Sequence, residues 1–381
     1  MGIGSKLTRA DRDWIEERAR AAGFDLAGVA PVPEPDSLQA SDEDRLYAQW
    51  VDAGHVGEME YLKRRDDAGE YLRGDVRRSM PWAHSVIVCA VNYNAAAPRS
   101  IDLADAKAGW IARYAWSGQS DPHAETTKGS DYHDVLLQQL RVLESEIKER
   151  FGADASMRSY VDTGPLAERA YAARAGVGWI GKNTCVLNQA QGSWLLLGVI
   201  VTSLELEAEA WSVAAADRCG SCTRCIDACP TEALLDPGDG GVRQMDATRC
   251  IAYLTIEKKG SIAEELRPLM GRQVFGCDIC QDVCPWNRRA PVAASNLLPA
   301  REELINPALQ WLAEMDGPTF NRVFRGSPLE RARRRRILRN VALAMGNSGE
   351  REFLTQLDAW AAGEDAVLAE AAAWAARRLR D

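Results

Sequence analysis

Histidine is scarce in this chain: His55, His84, His123 and His133 are the four among 381 residues. None has the spacing of a catalytic metal site, so a histidine-built metal centre is excluded. Long apolar runs are missing as well. The longest, Trp194 to Val201, is far too short to span a bilayer. The stretch Met1 to Arg12 is polar and lacks the apolar core of a secretory signal. Met1-Gly2 fails as a myristoylation site because Lys6 stands where Ser or Thr is required. No C-x3-C-x2-C occurs, which removes the usual radical-SAM arrangement. Positive charge is not in excess either: 46 Lys and Arg face 55 Asp and Glu, for a net charge of −9. That balance argues against wholesale polyanion binding, although a net figure hides patches.

What is present is an ordinary globular composition, 46% hydrophobic and 27% charged, in a chain long enough for two or three domains. Its organising stretch runs from Cys219 to Pro285. Cys219, Cys222, Cys225, Cys229 and Pro230 have the spacing C-x2-C-x2-C-x3-C-P, and Cys250, Cys277, Cys280, Cys284 and Pro285 follow. Three thiolates two residues apart can wrap one iron–sulfur cube, and the fourth of such a run usually ligates the other cluster. Cys219, Cys222, Cys225 and Cys284 then form one set; Cys229, Cys250, Cys277 and Cys280 form the second. Zinc prefers two separated C-x2-C knuckles. A disulfide framework fits poorly with a long chain without a secretory signal. Two [4Fe–4S] clusters are the expectation, and with no export signal or anchor they place the protein in the cytoplasm.

Along the chain, Thr8 and Asp11 form a helix cap ahead of the stripe Trp14, Ile15, Ala19 and Ala22. A second helix is expected over Asp42 to Ala53. Ser85 to Tyr93 reads as a buried strand containing an inert core thiol, Cys89. Tyr132 to Arg150 has helical periodicity, and Ser193 to Val201 reads as another buried strand. Mixed strands and helices to about residue 205 predict an α/β or α+β domain. Glu205 to Asp217 is an acidic linker. After Pro285 the pattern is helical: Glu303–Leu312, Pro328–Met345 and two more helices, joined by Gly346-Asn-Ser-Gly349, in the manner of solenoid repeats.

Several motifs need weighing. Gly176-Val-Gly178-Trp-Ile-Gly181 matches G-x-G-x-x-G, but a helix precedes it and a strand follows, the reverse of a dinucleotide site. The glycines instead allow close backbone approach to a bulky ligand or a tight turn, and Lys182 could meet an anion. Asp121-Pro-His123 and Asp131-Tyr-His133 begin like a D-x-H-x-x-G cobalamin loop but lack its final Gly. Asp162, in Ser159-Tyr-Val-Asp-Thr-Gly-Pro165, is either a helix N-cap or a general acid beside an apolar cofactor. Arg322, Arg325, Arg331, Arg333, Arg334, Arg335, Arg336 and Arg339 face Glu330 as their one opposite charge in sequence. Such a single-sign block predicts a phosphate-binding, nucleic-acid face; the alternative is a basic helix pairing with acidic neighbours.

Together these stretches resemble the epoxyqueuosine reductases. The resemblance is carried by Glu58-Met-Glu-Tyr-Leu-Lys-Arg64, Asp131-Tyr-His133, Val161-Asp-Thr-Gly164 and Gly178-Trp-Ile-Gly-Lys-Asn183. It continues through Arg249-Cys-Ile-Ala-Tyr-Leu-Thr255, Glu265-Leu-Arg-Pro-Leu-Met-Gly271, Gly276-Cys-Asp-Ile-Cys280 and Cys284-Pro-Trp-Asn287. The chain departs from the family pattern where a longer polar insertion separates Arg113-Tyr-Ala115 from Asp131 and Ser130 takes a basic position.

The resemblance implies an α+β protein. Its parts would be a nitroreductase-like, reductive-dehalogenase-like cobalamin domain over 1–205, a ferredoxin-like two-cluster module over 206–290 and HEAT-like helices contacting tRNA over 291–381. It implies reduction of epoxyqueuosine to queuosine at the tRNA wobble position, with cobalamin and two [4Fe–4S] clusters as cofactors. Asp162 falls at the family's proton-donor position and Arg64 at a cofactor-contacting arginine. Ala112, Val186, Leu197, Ala252, Cys277 and Asp278 would lie along the corrin. Arg331, Arg333, Arg334, Arg335, Arg336 and Arg339 would grip tRNA phosphates. A monomer served by an unidentified electron donor is expected. A cobalamin-dependent reductase of small molecules would not need the Arg block, and a bare electron-transfer protein would leave the N-terminal half without a task.

Overall fold

The computed structural model describes residues 6–35, 37–102, 105–119, 128–236, 242–295 and 297–381. His123 and most of the insertion before Asp131 lie outside the described residues. The first helix, α1 (Arg9–Ala21), opens on a capping box: Asp11 accepts from the Thr8 backbone N–H at 3.0 Å, and the Asp11 N–H donates to Thr8 Oγ1.

The N-terminal half is built on one antiparallel sheet of four strands, β1 (Leu26–Pro31), β2 (Ser85–Asn92), β3 (Met157–Tyr160) and β4 (Leu195–Thr202), in the order β1-β2-β4-β3. Every residue of β2 is buried, so its alternation serves two cores. Ile87, Cys89 and Val91 pack with Ile15 and Ala19 of α1 and with Leu136, Leu140 and Ile147 of α2 (Tyr132–Phe151). Val86, Val88 and Ala90 pack on the opposite face with Ala172 of α3 (Glu168–Arg174) and with Val199 and Val201. An antiparallel sheet covered by helices on both faces is α+β.

Most of the remainder shares one core. The short strand Trp110–Ile111 runs parallel to Gln273–Phe275. A single cluster joins Trp110, Ile111 and Trp116 to Val274 and Phe275, then to Phe324, Val341, Leu343 and Trp374 of the C-terminal helices. Asn340 stitches the same seam, donating to Thr255 O at 2.9 Å and Val274 O at 2.8 Å. Between these parts lies the short helix α4 (Ile251–Ile256).

The C-terminal region is helical, with α5 (Arg333–Ser348), α6 (Leu354–Ala361) and α7 (Ala366–Arg380) packed together. Two local expectations change. Gly317–Phe324 is a helix of its own, capped by Asp316 Oδ1 on the Thr319 N–H at 2.8 Å. Gly346 is not part of the turn: it sits inside α5, where a Cβ would lie 2.7 Å from Ala375 of α7. The turn belongs to Gly349 alone, at φ +79°. Among the described residues no helix is long and apolar enough to cross a membrane.

Candidate functional site

Beyond β3 the chain makes a three-residue turn, closed by the Thr163 N–H on Val161 O at 2.7 Å. Asp162 at its centre has φ +61°, a left-handed conformation that Asp tolerates better than most residues. Asp162 is not a helix N-cap, since α3 begins at Glu168 with Ala167 in the cap position. Its side chain is exposed, and its Oδ2 accepts the Tyr132 hydroxyl at 2.7 Å. Burial pushes the Tyr132 phenol up, and the Asp162 charge pushes it further, so it stays a hydrogen-bond donor.

Tyr132 is placed by α2, whose N-cap Asp131 accepts from the His133 N–H at 3.0 Å. Burial alone would raise the Asp131 carboxyl, yet bonds from His133 and the Arg331 charge hold it below its usual range. From Tyr132 a line of rings leads inward: Tyr114 lies 5.8 Å from Tyr132, and Phe275 6.0 Å from Tyr114. Cys277 and Asp278 follow two and three residues later in the chain.

All ten cysteines are free thiols. Among the eight other than Cys89 and Cys185, the neighbouring thiols run within one set or the other. Cys225 lies in the electrostatic neighbourhood of Cys284 and Cys219, with Cys222 on the turn between. Cys277 neighbours Cys250 and Cys229, and Cys280 neighbours Cys277 and Cys250. Burial raises the thiols of Cys250, Cys277 and Cys284, and that of Cys225 to about 11, so a Lewis-acidic partner is needed to hold them as thiolates. Trp179, Trp286 and Leu187 wall the first group. Trp179 Nε1 is sealed there without a partner, a donor suited to an inorganic sulfide. Among the described residues no three His, Cys, Asp or Glu side chains close on one point as the ligands of a single ion would.

Asp278 is buried and takes the Arg113 N–H at 2.7 Å and Trp110 Nε1 at 3.0 Å; burial pushes it up to about 7. Ala112 sits on the same seam, its N–H on Phe275 O at 2.7 Å. Ala252 joins through Thr255, whose hydroxyl meets Ala252 O and takes the Gly276 N–H. Val186 and Leu197 belong to the core beneath α3, and Arg64 is exposed.

The glycine motif resolves as a β-hairpin, Trp179–Ile180 against Val186–Leu187, where a Cβ on Gly178 would lie 2.2 Å from Leu187 O. These glycines serve strand packing, and Lys182 Nζ donates to Gly220 O at 2.8 Å, clamping the first cysteine loop and not an anion.

The arginine block is corrected most. Arg339 is buried, so it cannot meet a polyanion. Arg336 turns inward to Ile256 O at 2.6 Å and Ala332 O at 2.7 Å. Arg331 pairs with Asp131, Arg335 with Asp365 and Arg334 with Met315 O. Glu330 is therefore not the sole counter-charge. Arg331, Arg333 and Arg335 remain exposed, and Arg333 to Arg335 line a cavity of about 620 Å³ with Phe320 and Asp365.

Two family models match: a 4Fe-4S double cluster binding domain over residues 218–287, and epoxyqueuosine reductase QueG, DUF1730, over residues 73–163. The epoxyqueuosine reductase of Xanthomonas campestris is 34% identical over 95% of this chain and 94% of its own length. The chain belongs to the epoxyqueuosine reductase family.

The family's Escherichia coli member is likewise 34% identical, over 96% of this chain and 89% of its own. A crystal structure of an epoxyqueuosine reductase with an epoxyqueuosine-modified tRNA-Tyr stem loop superposes with TM-score 0.79 at 30% identity, covering 97% of this chain and 90% of that one. The Bacillus subtilis enzyme, solved with its catalytic aspartate loop swung out of the active site, gives 0.77 at 30% identity, over 96% and 90%.

Four residues of the site carried no signal by themselves in the sequence. Tyr132 counted as part of a helical stripe. Arg73 reaches Asp162 O and Leu166 O at 3.5 Å each. Glu168 has an oxygen sealed without a partner. Cys185 neighbours Cys280, and the pair share a proton so that the Cys185 thiol is lowered and that of Cys280 raised. The Asp162 turn and the Asp131-Tyr-His133 segment that holds Tyr132 were visible in the sequence, but the contacts between them were not.

Proposed function

We propose that this chain reduces the epoxide of epoxyqueuosine, at the wobble position of tRNA, to the alkene of queuosine, with release of water. Two electrons and two protons enter, two C–O bonds break and one C=C bond forms. Cys219, Cys222, Cys225 and Cys284 hold one [4Fe–4S] cluster, and Cys229, Cys250, Cys277 and Cys280 the other. Trp179 Nε1 and the buried thiols suit that cargo. Cobalamin, when bound, would supply a strongly reducing metal that passes electrons to the nucleoside. Arg64, Ala112, Val186, Leu197, Ala252, Cys277 and Asp278 would hold it. The apolar members offer flat contact, and Asn183 Nδ2, sealed without a partner near Val186, suits a polar edge.

Asp162 donates the proton to the departing oxygen, and the Tyr132 hydroxyl orients its carboxyl. Arg331, Arg333, Arg334 and Arg335 contact tRNA phosphates from a HEAT-like helical cap. Three units, 1–205, 206–290 and 291–381, act as one monomer in the cytoplasm, fed by an electron donor yet to be identified.

The observation that carries this reading is the continuity from Asp162 through Tyr132, Tyr114 and Phe275 to the Cys277–Asp278 pair. It joins a proton donor to the thiol set of Cys229, Cys250, Cys277 and Cys280. The test is anaerobic reconstitution with iron, sulfide and cobalamin, followed by reduction with a strong chemical reductant and an epoxyqueuosine-containing stem loop. Queuosine is expected, with about eight irons per chain. No product from a protein carrying both clusters and cobalamin would overturn the reading.

A further inference from the structure

The two thiol sets differ in what covers them. Between Cys219, Cys222 and Cys225 every residue is exposed: Gly220, Ser221, Thr223 and Arg224. A Cβ on Gly220 would meet nothing within 4 Å. The second set is enclosed, since Thr231, Ile251 and Asp278 beside its cysteines are all buried. A macromolecular reductant can therefore approach the first set and not the second. Four arginines flank that outer set. Arg218 precedes Cys219, Arg224 precedes Cys225, and Arg288 and Arg289 end the turn that Pro285 opens. These flanks converge, because Cys219 and Trp286 both pack against Trp179 and Cys284, with the two indoles 5.2 Å apart. All four arginines are exposed, and none makes a side-chain hydrogen bond or ion pair among the described residues. The acids of the same loop are engaged, Asp217 with Arg243 and Asp227 with the Thr223 hydroxyl at 2.8 Å. Beside the cations, on the segment that leads to Ala215 in the same packing group, Val213 is 87% exposed and Trp211 47%. Glu207 and Glu209 precede Trp211, so the positive charge lies on the cysteine side of these apolar residues.

We propose that this face docks a small acidic one-electron carrier protein, with Val213 and Trp211 as apolar contacts and Arg218, Arg224, Arg288 and Arg289 as the charged rim. The inference rests on the reading of Cys219, Cys222, Cys225 and Cys284 as cluster ligands and supplies the class of donor that reading leaves open. Apolar contacts inside a polar rim are the usual build of a transient protein interface. The chain as a whole carries a net charge of −9, so it repels an acidic protein everywhere except at such a local excess of positive charge. Each docking event moves one electron. The carrier loses it, the cluster held by the outer set gains it, and no bond is made or broken. Two visits supply the two electrons of one epoxide reduction.

The test uses the reconstituted protein and, as probe, a flavodoxin, which is a small acidic flavoprotein. Stopped-flow bleaching of the cluster absorbance by reduced flavodoxin gives a second-order rate, and titration with oxidised flavodoxin gives an affinity without any turnover. Both should weaken about tenfold or more between low salt and roughly 0.3 M salt. In the combined variant Arg218→Glu, Arg224→Glu, Arg288→Glu, Arg289→Glu, both should fall by about the same factor at low salt. Lysine at the same four positions should retain most of the rate. Reduced methyl viologen, a small cation that needs no docking face, should reduce the Glu variant at least as fast as the parent. Equal flavodoxin rates and affinities in parent and Glu variant overturn the proposal, and so does a flat salt dependence. If the Glu variant takes up less iron or loses reduction by methyl viologen, the pair Arg288→Gln, Arg289→Gln, outside the cysteine loop, is measured in its place. About a threefold loss with flavodoxin is then expected, and no loss overturns the proposal. The reading of the overall reaction fails on a different result, the absence of queuosine from the chemically reduced parent, in which no carrier takes part.

Discussion

Replacing Arg339 by methionine separates a structural arginine from a nucleic-acid-binding one. The guanidinium is 1% exposed and donates five hydrogen bonds. Nη1 reaches Lys258 O at 2.8 Å and Gly260 O at 2.7 Å; Nη2 reaches Leu254 O at 2.5 Å. The other two go to Asn340 Oδ1. Three of the acceptors are the carbonyls that finish α4 and the turn after it, where a cation also meets the negative end of the helix. Methionine fills similar space but donates nothing.

Each buried carbonyl left without a donor costs about 1–3 kcal/mol. Lys258 and Gly260 are half-buried, so water can recover part of theirs, while Leu254 is sealed. Removing a desolvated charge, whose burial already lowers Arg339 to about 10, offsets some of the loss. The net destabilisation should be about 2–4 kcal/mol. Lysine, with donors on one point instead of a planar fork, should fall between. Urea unfolding of the reconstituted protein, followed by circular dichroism, reads the difference. A loss below about 1 kcal/mol, on the same hydrogen-bond scale, would refute the reasoning. Normal stability with weakened stem-loop binding would return Arg339 to the nucleic-acid face.

Three further perturbations address the site. Asp162→Asn should retain both clusters and cobalamin while single-turnover reduction slows by about 10²–10⁴-fold, the range of general acid catalysis; a normal rate removes it as donor. The double variant Arg333→Ala, Arg335→Ala should keep its melting temperature but shallow the salt dependence of stem-loop binding, by about one unit of log–log slope for each phosphate that goes unneutralised. An unchanged slope would leave these side chains a purely structural role. Cys250→Ser should reduce the iron content from about eight to about four per chain, and iron analysis showing no change would break the assignment of the second set.

The parts of the fold that were legible in the sequence are those governed by local chemistry. β2 announced itself as a β-branched apolar run, and α1 by a capping pair three residues apart. The cysteine groups followed from spacing. The arginines did not, because a linear charge count ignores Asp131 and Asp365, which lie far away in sequence. Arg339 differs from Arg335 only in the face of α5 it occupies, and a helix that is basic at one end and buried along one side blurs that distinction. Asp162 could be named, but its partner Tyr132 sits 30 residues earlier and is met only through the sheet.

The parallel pairing of Trp110–Ile111 with Gln273–Phe275, sealed by Asn340, has a consequence for biogenesis. A growing polypeptide emerging from the ribosome has no stage at which a finished front half stands by itself. Trp110 and Trp116 stay wet until the last helices arrive to cover them. A chain truncated within α5 would leave that shared core open to water.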